Sequence, residues 1–355
     1  MTSITRVRTE RERLAFWSLA RAIYPGRHPA WVPPLWQHYR QLMGGLDDPE
    51  RAFYVAWHNG EPVAHLGVKR HQQALHFGFL ECLPGQHQAL NELFKQACET
   101  FPGLPLRGPY HFRQEDPYPG LLVDGFDTPP SFLLAYHPPY YAELLEQAGF
   151  RSLQEMHTYS FQRGEVRQDL MRGRARRAAE QGVTVRSMDP WHRVRDTRRL
   201  ASVFNNALAD NWGFEEFDEP MMREFVVLSL LLIRPETVLF AEHQGATVGA
   251  LITLPDLNPM LTRSQGRLTL RLLYDYLTRR SWIRNYRAYA IGIVREARQL
   301  DVAGAMIEAL VKLDARIPWE RLEASWVLAD NRPMQAMLNA LGARREKTYR
   351  LLERA

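Results

Sequence analysis

Residues 53–66 read FYVAWHNGEPVAHL and residues 238–251 read VLFAEHQGATVGAL. Under one offset of 185, Ala56 falls on Ala241, His58 on His243, Gly60 on Gly245 and Val63 on Val248. Each stretch is a run of β-formers, a polar dipeptide ending in Gly, and a second run of β-formers. That pattern predicts a hairpin, with Gly supplying the positive φ of the turn. A unit that recurs once in 355 residues predicts two copies of one fold, since a single core rarely grows that large.

The flanking segments repeat in the same order. After the first hairpin come strand-like 75–82, helical 86–100 and strand-like 104–112. After the second come strand-like 286–294, helical 301–315 and strand-like 320–329. Short helices ending in Gly149 and Gly342 follow, and last strands at 153–161 and 344–352 close the copies. Amphipathic helices precede each hairpin, at 10–23 and 34–44 and again at 191–209 and 219–233. Alternation of this kind predicts an α/β protein with a mixed sheet covered by helices. The predicted domains are 1–162 and 183–355, joined by an Arg-rich helical linker over 163–182. Two insertions break the symmetry, at 114–132 and 268–282.

Composition narrows the function classes. Hydrophobic residues make up 45% of the chain and charged residues 24%, as in an ordinary globular protein. No apolar run approaches the ~18 residues that span a bilayer. The stretch MTSITRVRTERERLAF is charged throughout, and two cysteines make no disulfide framework. The expectation is a cytoplasmic enzyme or binding protein without a membrane segment. Seven arginines between Arg163 and Arg186 face only Glu165, Asp169 and Glu180. Such a run reads as a solvated helix face or a seat for a phosphorylated cofactor sooner than as a nucleic-acid footprint. The twelve histidines show no metal spacing, and no G-x-S-x-G or P-loop occurs.

The order of elements resembles the GNAT (GCN5-related N-acetyltransferase) superfamily, here as two tandem acyl-CoA N-acyltransferase-like domains. A bacterial tandem-GNAT group looks closer still, through HPAWVPPL (28–35), GLLVDGFDTPP (120–130), AYHPPYYAELLEQAGF (135–150), NALADNWGF (206–214) and SWVLADN (325–331). The resemblance implies acetyl-CoA or another acyl-CoA as donor. In the family a Gln/Arg-x-x-Gly-x-Gly/Ala loop opens a helix, because a pyrophosphate needs free backbone N–H donors and close approach. The stretch GIVREARQLDVAGAMIEAL (292–310) stands at that place. Ile293, Val294, Arg298, Gln299, Leu300, Asp301, Val302, Ala303 and Gly304 would form the cradle, with Asn331 nearby. Asp301 replaces the first Gly, and its carboxylate would oppose a phosphate. The N-terminal copy reads LECLPGQHQAL (80–90) and has no such cradle.

Catalytic residues are less plain. Leu338 stands where the family places a Tyr acid, so Tyr349 is the substitute candidate; a strand aromatic is its other reading. Glu323 is the candidate base. Trp212 and Tyr140 are candidate contacts for the acceptor, a small-molecule or peptide amine; as core aromatics they would only fill space. Asp124 and Asp127 could attract an ammonium or could make Asx-turns. The competing function is a non-catalytic binding module, and a Fem-type aminoacyl donor is a third possibility. The oligomeric state is not legible.

Overall fold

The computed structural model describes residues 2–112, 117–231, 233–279, 282–313, 317 and 319–355. Parts of the predicted segments at 114–116, 232, 280–281 and 314–315 lie outside the described residues.

From the first residues onward the chain builds β1 (Thr2–Arg6), α1 (Glu10–Ile23), α2 (Trp36–Met43), β2 (Arg51–His58), β3 (Glu61–His71) and β4 (Ala74–Cys82). Next come α3 (His87–Thr100), β5 (Leu106–Gly108), β6 (Leu121–Asp124), α4 (Tyr140–Gln147), β7 (Arg151–Gln162) and α5 (Gln168–Glu180). The second repeat supplies β8 (Val183–Ser187), α6 (Arg193–Ala207), α7 (Glu219–Leu231), β9 (Val238–His243), β10 (Ala246–Pro255) and α8 (Asn258–Ser264). It continues with α9 (Leu270–Thr278), β11 (Asn285–Ile293), α10 (Val302–Lys312), β12 (Arg321–Leu328), α11 (Arg332–Ala340) and β13 (Arg344–Arg354).

Local chemistry accounts for the start and stop of several of these. Thr9 and Glu12 form a reciprocal capping box at the head of α1, which satisfies two otherwise orphaned amides. Both hairpins turn through two residues of positive φ, Asn59–Gly60 and Gln244–Gly245, as tight antiparallel turns demand. Gly149 and Gly342 sit at positive φ just past α4 and α11, where they stop the helices. The strand expected over 104–112 is shorter, because after Gly108 the chain turns to bond back to β4, Tyr110 N donating to Phe77 O.

Two compact units result. The first comprises Met1–Met156, Asn258–Leu273 and Lys347–Ala355; the second comprises His157–Leu257 and Tyr274–Glu346. Strand order in the first is β1-β2-β3-β4-β5-β13, with β6 also on β13; in the second it is β7-β12-β11-β10-β9-β8. Most of β13 therefore belongs to the first unit and the latter half of β7 to the second. Each sheet is completed by a strand from the other sequence repeat. In the first unit Leu66, Val68, Leu75, Phe77, Leu93 and Phe94 make a core of β3, β4 and α3. In the second, glycines mark close approach: a Cβ on Gly292 would meet Phe204 of α6 at 2.7 Å, and one on Gly249 would meet Val302 of α10 at 2.9 Å.

Candidate functional site

The second unit carries the site that the sequence pattern singles out. The strands β11 and β12 pair in parallel from Asn285↔Arg321 to Ala288↔Ala324. Beyond that point β11 runs on to Ile293 and β12 to Leu328 without further pairing to each other, while β11 stays paired to β10. One backbone edge of residues 289–293 is thus left open toward β12. At the fork Arg287 is fully buried, donates from Nε to Ser325 Oγ at 2.7 Å, and lies 5.0 Å from the Tyr289 ring centre and 5.6 Å from that of Trp326. Tyr289 and Trp326 are themselves half-buried. Sequence reasoning missed Arg287; an arginine inside an apolar strand, YRAYAIGIV, was the available signal.

From Ile293 the chain enters the predicted loop. Val294 N donates to Val248 O, and a single 3-10 turn spans Arg295–Ala297. Asp301 adopts the left-handed conformation, φ 53, and α10 begins at Val302. The first amides of a helix have no intrahelical acceptor, and those of Val302, Ala303 and Gly304 find none among the described residues. The Asp301 carboxylate does not cap the helix. It turns to α5, where Arg177 Nε lies 2.8 Å and Arg174 Nε 4.0 Å away. The charge that was expected to oppose a phosphate is therefore matched by two guanidinium groups, and the Arg-rich linker has a definite seat.

The segment NALADNWGF meets this loop. Asn206 Oδ1 accepts from Arg295 N, Asp210 pairs with Arg295 at 2.6 Å, and Arg298 Nη2 donates to Ala207 O. Trp212 follows in the same segment and is half-buried. Gln299 is exposed, while Ile293, Val294, Leu300 and Ala303 are half-buried. Two cradle residues serve packing. Val302 is buried against the Gly249 site, and a Cβ on Gly304 would stand 2.4 Å from Arg174 Cβ, so Gly304 is small because α5 crosses there. Asn331 caps α11, its Oδ1 accepting from Met334 N.

The two catalytic candidates are placed away from open solvent. Glu323 is fully buried beside Arg287 in register; Oε2 accepts from Arg321 Nη2 at 2.9 Å, and Oε1 has no partner among the described residues. Arg321 also binds Glu346, which accepts from Ser160. Tyr349 belongs to the first unit, is buried, and its hydroxyl donates to Ala135 O at 3.0 Å. Leu338 is buried in α11.

In the first unit the corresponding fork is filled. The strands β4 and β5 pair only at Leu75↔Leu106 and His76↔Arg107. The backbone of 110–112 then occupies the cleft: a Cβ on Gly78 would lie 2.0 Å from Tyr110 O, and His76 Nδ1 bonds Phe112 O. Tyr140 donates its hydroxyl to Cys82 O at 2.7 Å. Buried Lys347 bonds Gly125 O and Thr128 O; Asp124 and Asp127 are exposed.

The parallel strands that part and the helix opened by the loop between them give the second unit the fold of the GCN5-related N-acetyltransferases, and the first unit repeats its element order with the fork filled. The chain is similar to a tandem GNAT protein from the clavulanic acid biosynthesis pathway, with TM-score 0.56 and 12% identity over 100% of this chain and 98% of that one. In sequence it is similar to the bacterial ceramide synthase of Caulobacter vibrioides (strain NA1000 / CB15N), 25% identical over 377 residues, 99% of this chain and 97% of that protein. It is also similar to protein YghO of Escherichia coli (strain K12), 27% identical over 368 residues, 96% of this chain and 92% of that protein. No family model matches the chain. Among the described residues, no helix is long and apolar enough to cross a membrane.

Proposed function

We propose that the protein is an N-acyltransferase that moves an acyl group from coenzyme A to a primary amine, with coenzyme A held by the second unit. The observation that carries this reading is the parting of β11 from β12 on the strand that leads into α10. The residues there fit the group. Three amides at the head of α10 lack acceptors, Ala303 leaves room for close approach, and Arg174 and Arg177 add positive charge. Coenzyme A, when bound, supplies the acyl group activated as a thioester.

The chain's own part is binding and orientation. The α10 amides hold phosphate, favoured by the net positive charge that Arg174 and Arg177 leave beside Asp301; the open edge of residues 289–293 offers backbone hydrogen bonds; Tyr289 and Trp326 supply apolar wall around the Arg287 charge. Holding two reactants in register supplies several kcal/mol of a barrier by itself, on the order of 7–11 in the best cases. The likeness to a protein named a ceramide synthase supports a finer assignment. A ceramide is the amide of a fatty acid with a long-chain amino alcohol, so the donor here is a fatty acyl thioester and the acceptor a long-chain amine.

One observation favours a second reading, ligand binding without turnover: Leu338 and Tyr349 leave the family's proton donor unreplaced. Calorimetry of the full chain with coenzyme A, acetyl-CoA and palmitoyl-CoA, followed by mass spectrometry of a reaction with sphinganine, separates the two. Micromolar binding, about −8 kcal/mol, with N-palmitoyl product establishes the transferase. Binding without product leaves the second reading, and no binding at millimolar ligand overturns both.

A further inference from the structure

The two motifs HPAWVPPL and AYHPPYYAELLEQAGF have no role in the donor site, yet Tyr141 of the second bonds Glu81 and Trp31 of the first stacks on Tyr24, which bonds the same carboxylate. Glu81 stands near the end of β4 and is half-buried. The Tyr24 hydroxyl bonds its two oxygens at 2.8 and 3.1 Å, and Tyr141 donates to Oε2 at 2.7 Å. Tyr141 in turn accepts from Cys82 N, which fixes the direction of its hydroxyl. Aromatic rings pack around Tyr24. Tyr24 stacks on Trp31 at 4.6 Å with planes 2° apart, and His28 and Tyr136 lie 5.9 and 6.3 Å from Tyr24.

Among the described residues no Arg, Lys or His forms an ion pair with Glu81. A carboxylate has about four lone-pair sites, and the two phenols leave capacity unfilled. A partly desolvated carboxylate without a counter-cation costs stability unless something cationic meets it. We propose that the Tyr24–Glu81–Tyr141 cluster, walled by Trp31 and Tyr136, is the seat of the ammonium group of a primary amine. The inference concerns the first unit by itself, and the binding it asserts does not require the donor. An ammonium brings three N–H donors to the carboxylate and a charge that aromatic faces attract.

The probe is octylamine, titrated calorimetrically into the full chain at pH 8, with 1-octanol as the uncharged control and coenzyme A titrated in parallel. The expected result is binding of octylamine and not of octanol, and a loss of about tenfold or more in Glu81→Gln, as befits removal of a charge-assisted contact. Coenzyme A affinity in that variant should equal that of the wild type, which also reports that it is folded. Equal octylamine binding by E81Q and wild type overturns the proposal, as does absence of octylamine binding by the wild type. Absence of coenzyme A binding alone would instead strike the donor reading. Should E81Q fail to fold, the pair Tyr24→Phe and Trp31→Ala decides: both should weaken octylamine severalfold, and unchanged binding in both overturns the seat.

Discussion

Arg177 Nε lies 2.8 Å from Asp301 Oδ2, so the helix that joins the two sequence repeats is tied to the residue that opens α10. The pair is partly solvent-exposed, and such pairs contribute only about 0–1 kcal/mol. Asp301 also holds a left-handed φ that Gly adopts without strain. The substitution Asp301→Gly should therefore change stability by less than about 1 kcal/mol. It should release both guanidiniums and raise coenzyme A affinity severalfold, while Arg177→Ala lowers it. Calorimetry checks the affinities and thermal melting the stability; an unchanged or weaker affinity in D301G would count against the loop assignment.

Ala303 sits in the first turn of α10 with its neighbours' amides unclaimed. A carboxylate there suits the helix, since negative charge at an N-terminus stabilises by about 0.3–1 kcal/mol. The same charge repels a pyrophosphate. Ala303→Glu should hold or raise the melting temperature while costing more than about tenfold in coenzyme A affinity, or ~1.4 kcal/mol. The opposite signs separate a binding defect from a folding defect in one variant.

Gly304 is next in sequence and should behave differently. A Cβ there would lie 2.4 Å from Arg174 Cβ, a contact that α5 and α10 can relieve only by moving apart. Gly304→Val should cost about 1–3 kcal/mol of stability, as overpacked sites do. Denaturant midpoints measure it, and a neutral result would mean that the α5 crossing is not held closely.

The contrast between Ala303 and Gly304 shows where sequence reasoning stops. Period-2 and period-3.6 patterns, the two Gly turns and the helix-stopping glycines are local signals, and they gave the order of elements in both repeats. The small residues of 302–304 were legible as small, but smallness has two physical causes. A ligand backbone contact and a helix crossing look alike until the neighbour, Arg174, is in view. Strand exchange was not legible either: the alternation in 344–352 says that a strand forms, and nothing in it names β5 as partner. Glu81 escaped notice because its partners Tyr24 and Tyr141 lie 57 and 60 residues away.

Tyr349 gives a test of the acid assignment. Its hydroxyl is spent on the Ala135 carbonyl inside the first unit. Tyr349→Phe should cost about 0.5–1.5 kcal/mol for one hydrogen bond and leave coenzyme A affinity and any acyl transfer unaltered per folded molecule. A drop in turnover of about tenfold or more, ~1.4 kcal/mol in barrier, with stability intact would restore it as a proton donor.

Glu81 should write itself into the pH dependence of stability. Burial pushes its carboxyl up to about 7, against the pull of the Tyr141 and Tyr24 hydrogen bonds. An unfolded Glu titrates near ~4.3. Between those values the folded chain holds a proton that the unfolded chain has lost, so stability falls as pH rises and levels off above the folded value. Its neighbours do not titrate there: burial holds Tyr24, Tyr39, Tyr140 and Tyr141 above their ordinary range and pushes the Cys82 thiol up to about 12. His28, nearby, is lowered by burial and by the Arg27 charge. Elsewhere in the unit His65 and His137 are pushed down to about 3 and about 4 by burial, so their contribution is present above ~6.5 and lost as pH falls. That opposite slope is common to wild type and E81Q, and it cancels in their difference. Guanidinium unfolding at pH 5, 6, 7 and 8 should show wild type losing stability relative to E81Q by on the order of 3 kcal/mol in all, most of it below about pH 7. A difference that stays flat across that range would mean that Glu81 is ionised in the folded chain as readily as in water, and the desolvated carboxylate on which the ammonium seat depends would not exist.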